Sequence, residues 1–365
     1  MQSSIENAEL VDRFTGCLLG GAVGDALGWP VEFLSMDEIR RKYGREGILD
    51  FVEASGGIGA ITDDTQMTLF TAEGLILAKR RELETHVPPQ WESAVHQAYL
   101  RWLSTQGVAL PGMVDEGWLL SVSGLHHRRA PGSTFLSALE SGRMGTVDRP
   151  INNSKGCGGV MRAAPVGLFC AAQWNAGNEA MGAKSAFDIG CAIAAITHGH
   201  PLGYLPAGFL AAVIFLVVSG RSVEDSIEGT LEILAGRPEQ DKCRLAAEVQ
   251  QAIRRKRNKK PCPETIERFG GGWVGDEALV ISLYCALAAE GDFAKGVKLA
   301  VNHSGDSDST GSITGNILGA QLGINAIPSR WLNTLEMRNV IEQVAVDTLK
   351  LYEDSGESRE RYLSS

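Results

Sequence analysis

Two stretches decide the architecture: Gly16-Cys17-Leu18-Leu19-Gly20-Gly21-Ala22-Val23-Gly24-Asp25-Ala26-Leu27-Gly28 near the start, and Gly311-Ser312-Ile313-Thr314-Gly315-Asn316-Ile317-Leu318-Gly319 near the end. In both, glycine returns every fourth residue. Positions i and i+4 share one face of a helix, so each stretch reads as a helix with a glycine-lined side. A glycine in a helix interior costs up to ~1 kcal/mol against alanine. The return is close approach of another helix or of a ligand. The same spacing marks membrane helix pairs, but acids lie in and beside these segments, which excludes that setting. Two glycine-faced helices are therefore expected to pack tightly in the centre of the fold, one near each end of the chain.

Working outward, strand signals are scarce and most long segments carry helical period. Helices are expected over Leu69–Ala78, Trp91–Leu103, Ala186–Ile196, Pro206–Ser219, Val223–Leu234, Leu245–Arg257, Ala278–Ala289 and Asn339–Tyr352. Pro206 suits a first helical position and Gly220 a C-terminal cap. The fold class is all-α, a compact single-domain multi-helix fold. Residues 1–12 read as a polar N-terminal segment, 13–353 as the domain and 354–365 as a polar tail. The stretch Ser104–Asn153, dense in Gly, Pro, Ser and His, reads as a long loop bordering the site.

The 365 residues are 44% hydrophobic, enough for a large core, and carry a formal charge of −10 with pI near 5.3. That balance excludes a global electrostatic grip on nucleic acid or on an anionic membrane. Seven cysteines without a C-x-x-C pair indicate free thiols in a reducing compartment. Met1–Arg13 lacks the basic and apolar regions of a signal peptide. Leu202–Gly220 carries no charge, but its strongly apolar run is only Phe209–Val218, short of the roughly 20 residues a spanning helix needs. A buried core helix and a soluble, cytoplasmic protein are expected.

Chemistry concentrates in carboxylates. Thr62-Asp63-Asp64-Thr65 precedes the apolar helix Met67–Ala78, and Asp306-Ser307-Asp308-Ser309 precedes Ser312–Leu322. Either cluster alone reads as helix capping. The second also has a calcium-loop flavour, but the twelfth position from Asp306 is Ile317 rather than the bidentate Glu that such a loop needs. Together the clusters offer four carboxylates, more than caps require. If they converge, each close pair repels by about 4 kcal/mol at an effective dielectric near 20, and two divalent cations would supply the counter-charge. Oxygen ligands select Mg²⁺, Mn²⁺ or Ca²⁺ over zinc. Asp25 and Glu32 are further acids in an apolar stretch. Glu32 reads either as ligand-facing or as a half-exposed residue after a helix that ends at Pro30.

Gly16–Phe33, Thr62–Thr65, Gly156-Cys157-Gly158-Gly159-Val160-Met161-Arg162-Ala163-Ala164-Pro165 and Gly305–Ser309 resemble, in order, the motifs of the ADP-ribosylglycohydrolase family. The resemblance implies an all-α domain with a central binuclear Mg²⁺ or Mn²⁺ site. By motif position the metal ligands would be Thr62, Asp63, Asp64, Asp306, Asp308 and Ser309, the last standing where the family more often has Thr. Glu32, Asp64 and Asp306 would be catalytic. Gly156, Cys157, Gly158, Gly159 and Val160 would meet the ADP-ribose through backbone N–H groups, with His198 near the nucleotide. The implied reaction is removal of mono-ADP-ribose, foremost from arginine on a modified protein, by a metal-oriented water attacking the anomeric carbon. Cys157 stands where some members have Asn. Ala130 stands where some arginine-specific members have Asp, which leaves a serine linkage open. The alternative is an immunity protein that occludes an ADP-ribosylating toxin, with or without hydrolysis.

Other features have plain readings. His126-His127-Arg128-Arg129 suits an exposed polar loop, and Arg254–Lys260 a solvated helix end. His303 suits a helix-entry hydrogen bond or a place behind the acids. Trp29, Trp118 and Trp273 suit core packing, with adenine stacking as the functional alternative for one of them.

Overall fold

The computed structural model describes residues 2–110, 116–258, 261–351 and 361–362, with side chains from residue 7 onward and not at 258. Among these, sixteen α-helices are α1 (Gln2–Gly28), α2 (Met36–Tyr43), α3 (Asp63–Thr85), α4 (Trp91–Thr105), α5 (Ser133–Glu140), α6 (Ala164–Asn175), α7 (Ala183–Ala195), α8 (Pro201–Val218), α9 (Val223–Ala235), α10 (Lys242–Asn258), α11 (Pro263–Ile266), α12 (Gly275–Ala289), α13 (Phe293–Val301), α14 (Ser307–Leu322), α15 (Ser329–Thr334) and α16 (Arg338–Leu349). One two-stranded hairpin, Glu53–Ala54 with Gly57–Ile58, is the only sheet among the described residues. The all-α expectation holds.

The glycine ladders face each other. α1 and α14 run antiparallel, with Gly16 against Gly319, Gly20 against Gly315, Gly24 against Gly311 and Gly28 against Ser307. At each step a Cβ would collide with the partner's backbone. Asn316 locks the register by donating from Nδ2 to the Cys17 carbonyl at 2.8 Å, in space left by Gly21. The antiparallel sense has a functional consequence: the C-terminal end of α1, with Asp25, lies beside the N-terminal end of α14, with its aspartates.

Around this pair the other helices close one continuous apolar core. α8 has the length and hydropathy of a membrane span, yet 94% of that window is buried inside the fold. It begins at Pro201, five residues before the expected Pro206. His200 caps it by accepting the Leu202 N–H on Nδ1 at 3.0 Å. Pro206 therefore sits inside the helix, where burial of Leu202, Leu205 and Phe209 outweighs one missing backbone bond. Gly220, with φ +95°, does follow the end of the helix.

The Ser104–Asn153 stretch is not one loop. Its described part holds α5 and the short turns Leu119–Ser121 and Ser123–Leu125. The buried Glu73–Arg101 pair (3.0 Å) anchors the first turn, Glu73 accepting the Leu119 N–H at 2.9 Å. Residues 111–115 lie outside the described residues. No element boundary falls at 12/13, since α1 starts at Gln2. In the expected tail, Arg361 pairs with Asp347 at 2.6 Å and Tyr362 is buried against Trp118; residues 354–360 and 363–365 lie outside the described residues. In the basic run, Arg257 pairs with Glu224 and Arg255 covers the Phe269 ring at the end of α10, while Lys259 and Lys260 lie outside the described residues.

Candidate active site

The first acidic cluster opens α3. A helix start leaves backbone N–H groups without intrahelical partners. Here two other groups satisfy them. The Thr62 hydroxyl accepts the Asp64 N–H at 3.2 Å. The buried Asp25 carboxylate, from α1, accepts the Thr62 N–H (3.0 Å), the Thr65 N–H (3.2 Å) and the Thr65 hydroxyl (2.5 Å). The preceding residue is clamped as well: Ile61 N–H donates to Glu336 at 2.9 Å, and Arg129 donates to the Ile61 carbonyl at 3.1 Å. Capping is thus complete without the side chains of Asp63 and Asp64.

The second cluster opens α14. Asp306 occupies the N-cap position but makes no side-chain capping bond. Its backbone is pinned by a hydrogen bond from its N–H to the Gly271 carbonyl (2.8 Å), and its Oδ2 accepts from the Cys157 thiol at 2.7 Å. Behind it, His303 Nε2 bonds Thr310 Oγ1 at 2.9 Å, so His303 supports the helix entry from a buried position.

The clusters meet in one open cavity of about 380 Å³, lined by Glu32, Asp63, Asp64, Asp306, Asp308 and Ser309 on one side. Gly156, Cys157, Gly158, Phe135 and His198 form another wall. Oxygens of Glu32, Asp306 and Asp308 lie within 4.8 Å of one another. Burial, then the charge of Asp306, pushes the Glu32 carboxyl up to about 8. Burial likewise raises Asp63, Asp64 and Asp308 well above the usual carboxylate range, with neighbouring acids adding to it.

A divalent cation fits these residues. Asp64 Oδ2 and Glu32 Oε2 are buried and lack any hydrogen-bond partner, a costly condition that a cation would relieve. The donors are carboxylate and hydroxyl oxygens, which suit hard ions. The nearby thiol of Cys157 is driven upward by burial and by Asp306, so it stays protonated and offers no thiolate.

Several expected site residues do not themselves line this cavity. Thr62 lies behind the cavity wall as the α3 cap. Gly159 and Val160 are buried and do not line the cavity; Gly159 packs against the Gly203 carbonyl. Three of the five loop N–H groups are also committed inside the fold: Gly156 to Ser154, Cys157 to the Trp273 carbonyl and Val160 to the Cys157 carbonyl. Glu32 is half-buried, as the plainer reading has it, and also ligand-facing, with Oε2 buried in the cavity wall.

Sequence reading missed other parts. Arg129 is no exposed loop residue; it is buried and paired with Glu336 at 3.2 Å. Asp25 was visible as an acid in an apolar run, but nothing local revealed its partner helix. Trp273 is not a core residue. At 42% exposure it stacks on Phe33, 67% exposed, with ring centroids 5.1 Å apart at the cavity rim. Trp29 and Trp118 are half-buried, the former bonded to the Ser55 carbonyl.

The ADP-ribosylglycohydrolase family profile matches residues 6–359. The chain is 30% identical over 348 residues to an uncharacterized protein of Archaeoglobus fulgidus, covering 94% of this chain and 96% of that one. It is 26% identical to the ADP-ribosyl-[dinitrogen reductase] glycohydrolase of Rhodospirillum rubrum, covering 90% and 91%. It is 24% identical to the ADP-ribosylarginine hydrolase Tri1 of Pseudomonas putida, covering 92% and 78%. A solved structure described as an ADP-ribosylglycohydrolase-related protein complex shares the fold, with a TM-score of 0.64 at 22% identity, covering 95% of this chain and 100% of that one. With its motifs gathered at one cavity and its sequence matched almost from end to end, this chain belongs to the ADP-ribosylglycohydrolase family.

Proposed function

We propose that the protein removes mono-ADP-ribose from a modified protein, with arginine the favoured acceptor, using two cations of the Mg²⁺ or Mn²⁺ kind held by Asp63, Asp64, Asp306 and Asp308. Ser309 adds a hydroxyl, and Thr62 has a lone pair left beyond its capping bond. The observation that carries this reading is the buried, unpartnered Asp64 Oδ2 in a cavity ringed by further acids, with Glu32 Oε2, equally unpartnered, left free to meet a water. When bound, divalent cations would supply positive charge that acidifies water and grips sugar hydroxyls.

The protein's own groups account for the rest. Glu32 Oε2 takes a proton from the attacking water. The water oxygen bonds to the anomeric carbon as the carbon–nitrogen bond to the acceptor breaks, and Glu32 passes the proton it took from the water to the departing nitrogen. The products are ADP-ribose and the restored guanidinium. Positive charge developing on the sugar, as in glycoside hydrolysis generally, is favoured by the surrounding carboxylates. Arginine is favoured as the acceptor because two relatives carry arginine-hydrolase names. His198 and the Gly156–Gly158 wall hold the nucleotide portion.

The test is incubation with mono-ADP-ribosylated arginine protein, with and without EDTA. Release of ADP-ribose that EDTA abolishes and Mn²⁺ restores is expected. Release indifferent to EDTA would contradict the metal role, and cleavage of serine-linked but not arginine-linked substrate would reassign the acceptor.

A further inference from the structure

Arg162 is fully buried, yet it makes no ion pair among the described residues. Its guanidinium lies over the Tyr99 ring at 4.4 Å, its Nε has no partner, and one terminal nitrogen faces the Met67 sulfur at 3.4 Å. Its strongest contact is a hydrogen bond from the other terminal nitrogen to the Thr197 hydroxyl at 2.5 Å. That hydroxyl lies 2.9 Å from His198 Nδ1. An unpaired buried guanidinium is expensive, so its placement calls for a task.

We propose that Arg162 and Thr197 are positioning residues that fix the tautomer of His198, so that its Nε2–H donates to an anionic oxygen of the ADP-ribose diphosphate. Arginine has donors only. The Thr197 oxygen must therefore accept from Arg162. The one proton of the hydroxyl is left for His198 Nδ1, the other hydrogen-bonding atom in reach. Nδ1 becomes an acceptor, and in a neutral imidazole the proton then resides on Nε2. The ring is neutral: burial, then the Arg162 charge, pushes His198 down to about 3.

The free edge of the ring faces the cavity. A Cβ on Gly156 would stand 3.4 Å from Nε2, and one on Gly158 would stand 3.1 Å from Cε1. Those glycines therefore keep the donor uncovered. His198 lines the cavity on the wall that carries them. The buried charge of Arg162 behind this wall favours an anion in front of it. This assignment deepens the proposed reading and rests on it for the identity of the ligand, though not for the tautomer.

Two readouts test it. In protein labelled with ¹⁵N-histidine, long-range nitrogen–proton spectra should show His198 as the Nε2–H tautomer without any ligand. Thr197→Val removes the hydroxyl at nearly constant shape and should abolish that single-tautomer signature; Thr197→Ser should keep it. By calorimetry, Thr197→Val should weaken ADP-ribose binding about tenfold, the scale of one hydrogen bond to a charged group, and leave adenosine binding unchanged. Thr197→Ser should bind like wild type. An Nδ1–H tautomer in the wild type, or an unaltered signature in Thr197→Val, would overturn the relay whatever the substrate is. Equal losses for adenosine and ADP-ribose would overturn the diphosphate assignment. Wild-type protein that bound no ADP-ribose would instead count against the proposed function, and the spectrum would still decide the tautomer.

Discussion

The Asp25 carboxylate on α1 accepts the backbone N–H of Thr62 at 3.0 Å, helping to cap a helix whose N-cap residue lies 37 residues later in the chain. That bond, with the two from Thr65, frees Asp63 and Asp64 from capping and leaves them facing the cavity. Asp25→Ala would strand buried donors, at about 1–3 kcal/mol for an unsatisfied group. Urea denaturation should show a loss of that size. Binding of Mn²⁺ should weaken too, since the α3 entry loses its anchor. Unchanged stability would show that water or Thr62 replaces the cap.

Gly315→Ala should be costly although alanine is the better helix former. Its Cβ would strike the Gly20 carbonyl, and overpacking of this kind costs about 1–3 kcal/mol. Because α1 and α14 carry the acids at their adjoining ends, forcing them apart should also lower turnover. A denaturation midpoint equal to wild type would mean the ladder is looser than described.

Stability should depend on pH in a cation-dependent way. Glu32 is raised from 4.5 to about 8, and Asp63, Asp64 and Asp308 are raised in the same sense. A carboxyl raised in the folded state binds its proton more tightly there than when unfolded. Its contribution is full below its unfolded value and is lost as pH rises through its folded value. In EDTA, Tm should therefore fall as pH rises between about 4.5 and 8 for Glu32. Millimolar Mg²⁺ should flatten that fall at its upper end. A Tm that rises with pH across this window in EDTA would contradict the crowding of these acids.

Trp273 should report occupancy. It stacks on Phe33 at the rim and is partly open to solvent. ADP-ribose entering the cavity should change tryptophan emission, and Trp273→Phe should remove most of that change. A signal that persists in the variant would place the ligand away from the rim.

The sequence exposed the parts of this fold that repeat or cluster. Glycine at every fourth position announced two tightly packed helices, because only close backbone approach repays the loss of side chains. Doubled aspartates at two helix starts announced more charge than capping uses. What stayed hidden depended on partners remote in the chain. Arg129 read as a loop residue because Glu336, which buries it, lies 207 positions on. Pro206 looked like a helix start because proline fits there, whereas the His200 cap six residues before it was a subtler signal. Trp273 looked like core because burial, not composition, decides where a tryptophan ends. Gly159 and Val160 lie off the cavity lining, a placement hidden in the sequence because a motif does not say which side of its turn faces inward.

Calorimetric titration of Mn²⁺ into EDTA-stripped protein tests most directly the proposed role of cations in holding these carboxylates together. Two ions per chain are predicted for the wild type, with binding lost or reduced to one ion in Asp64→Asn and in Asp308→Asn. No saturable binding to the wild type, or the same stoichiometry and affinity in both variants, would contradict it.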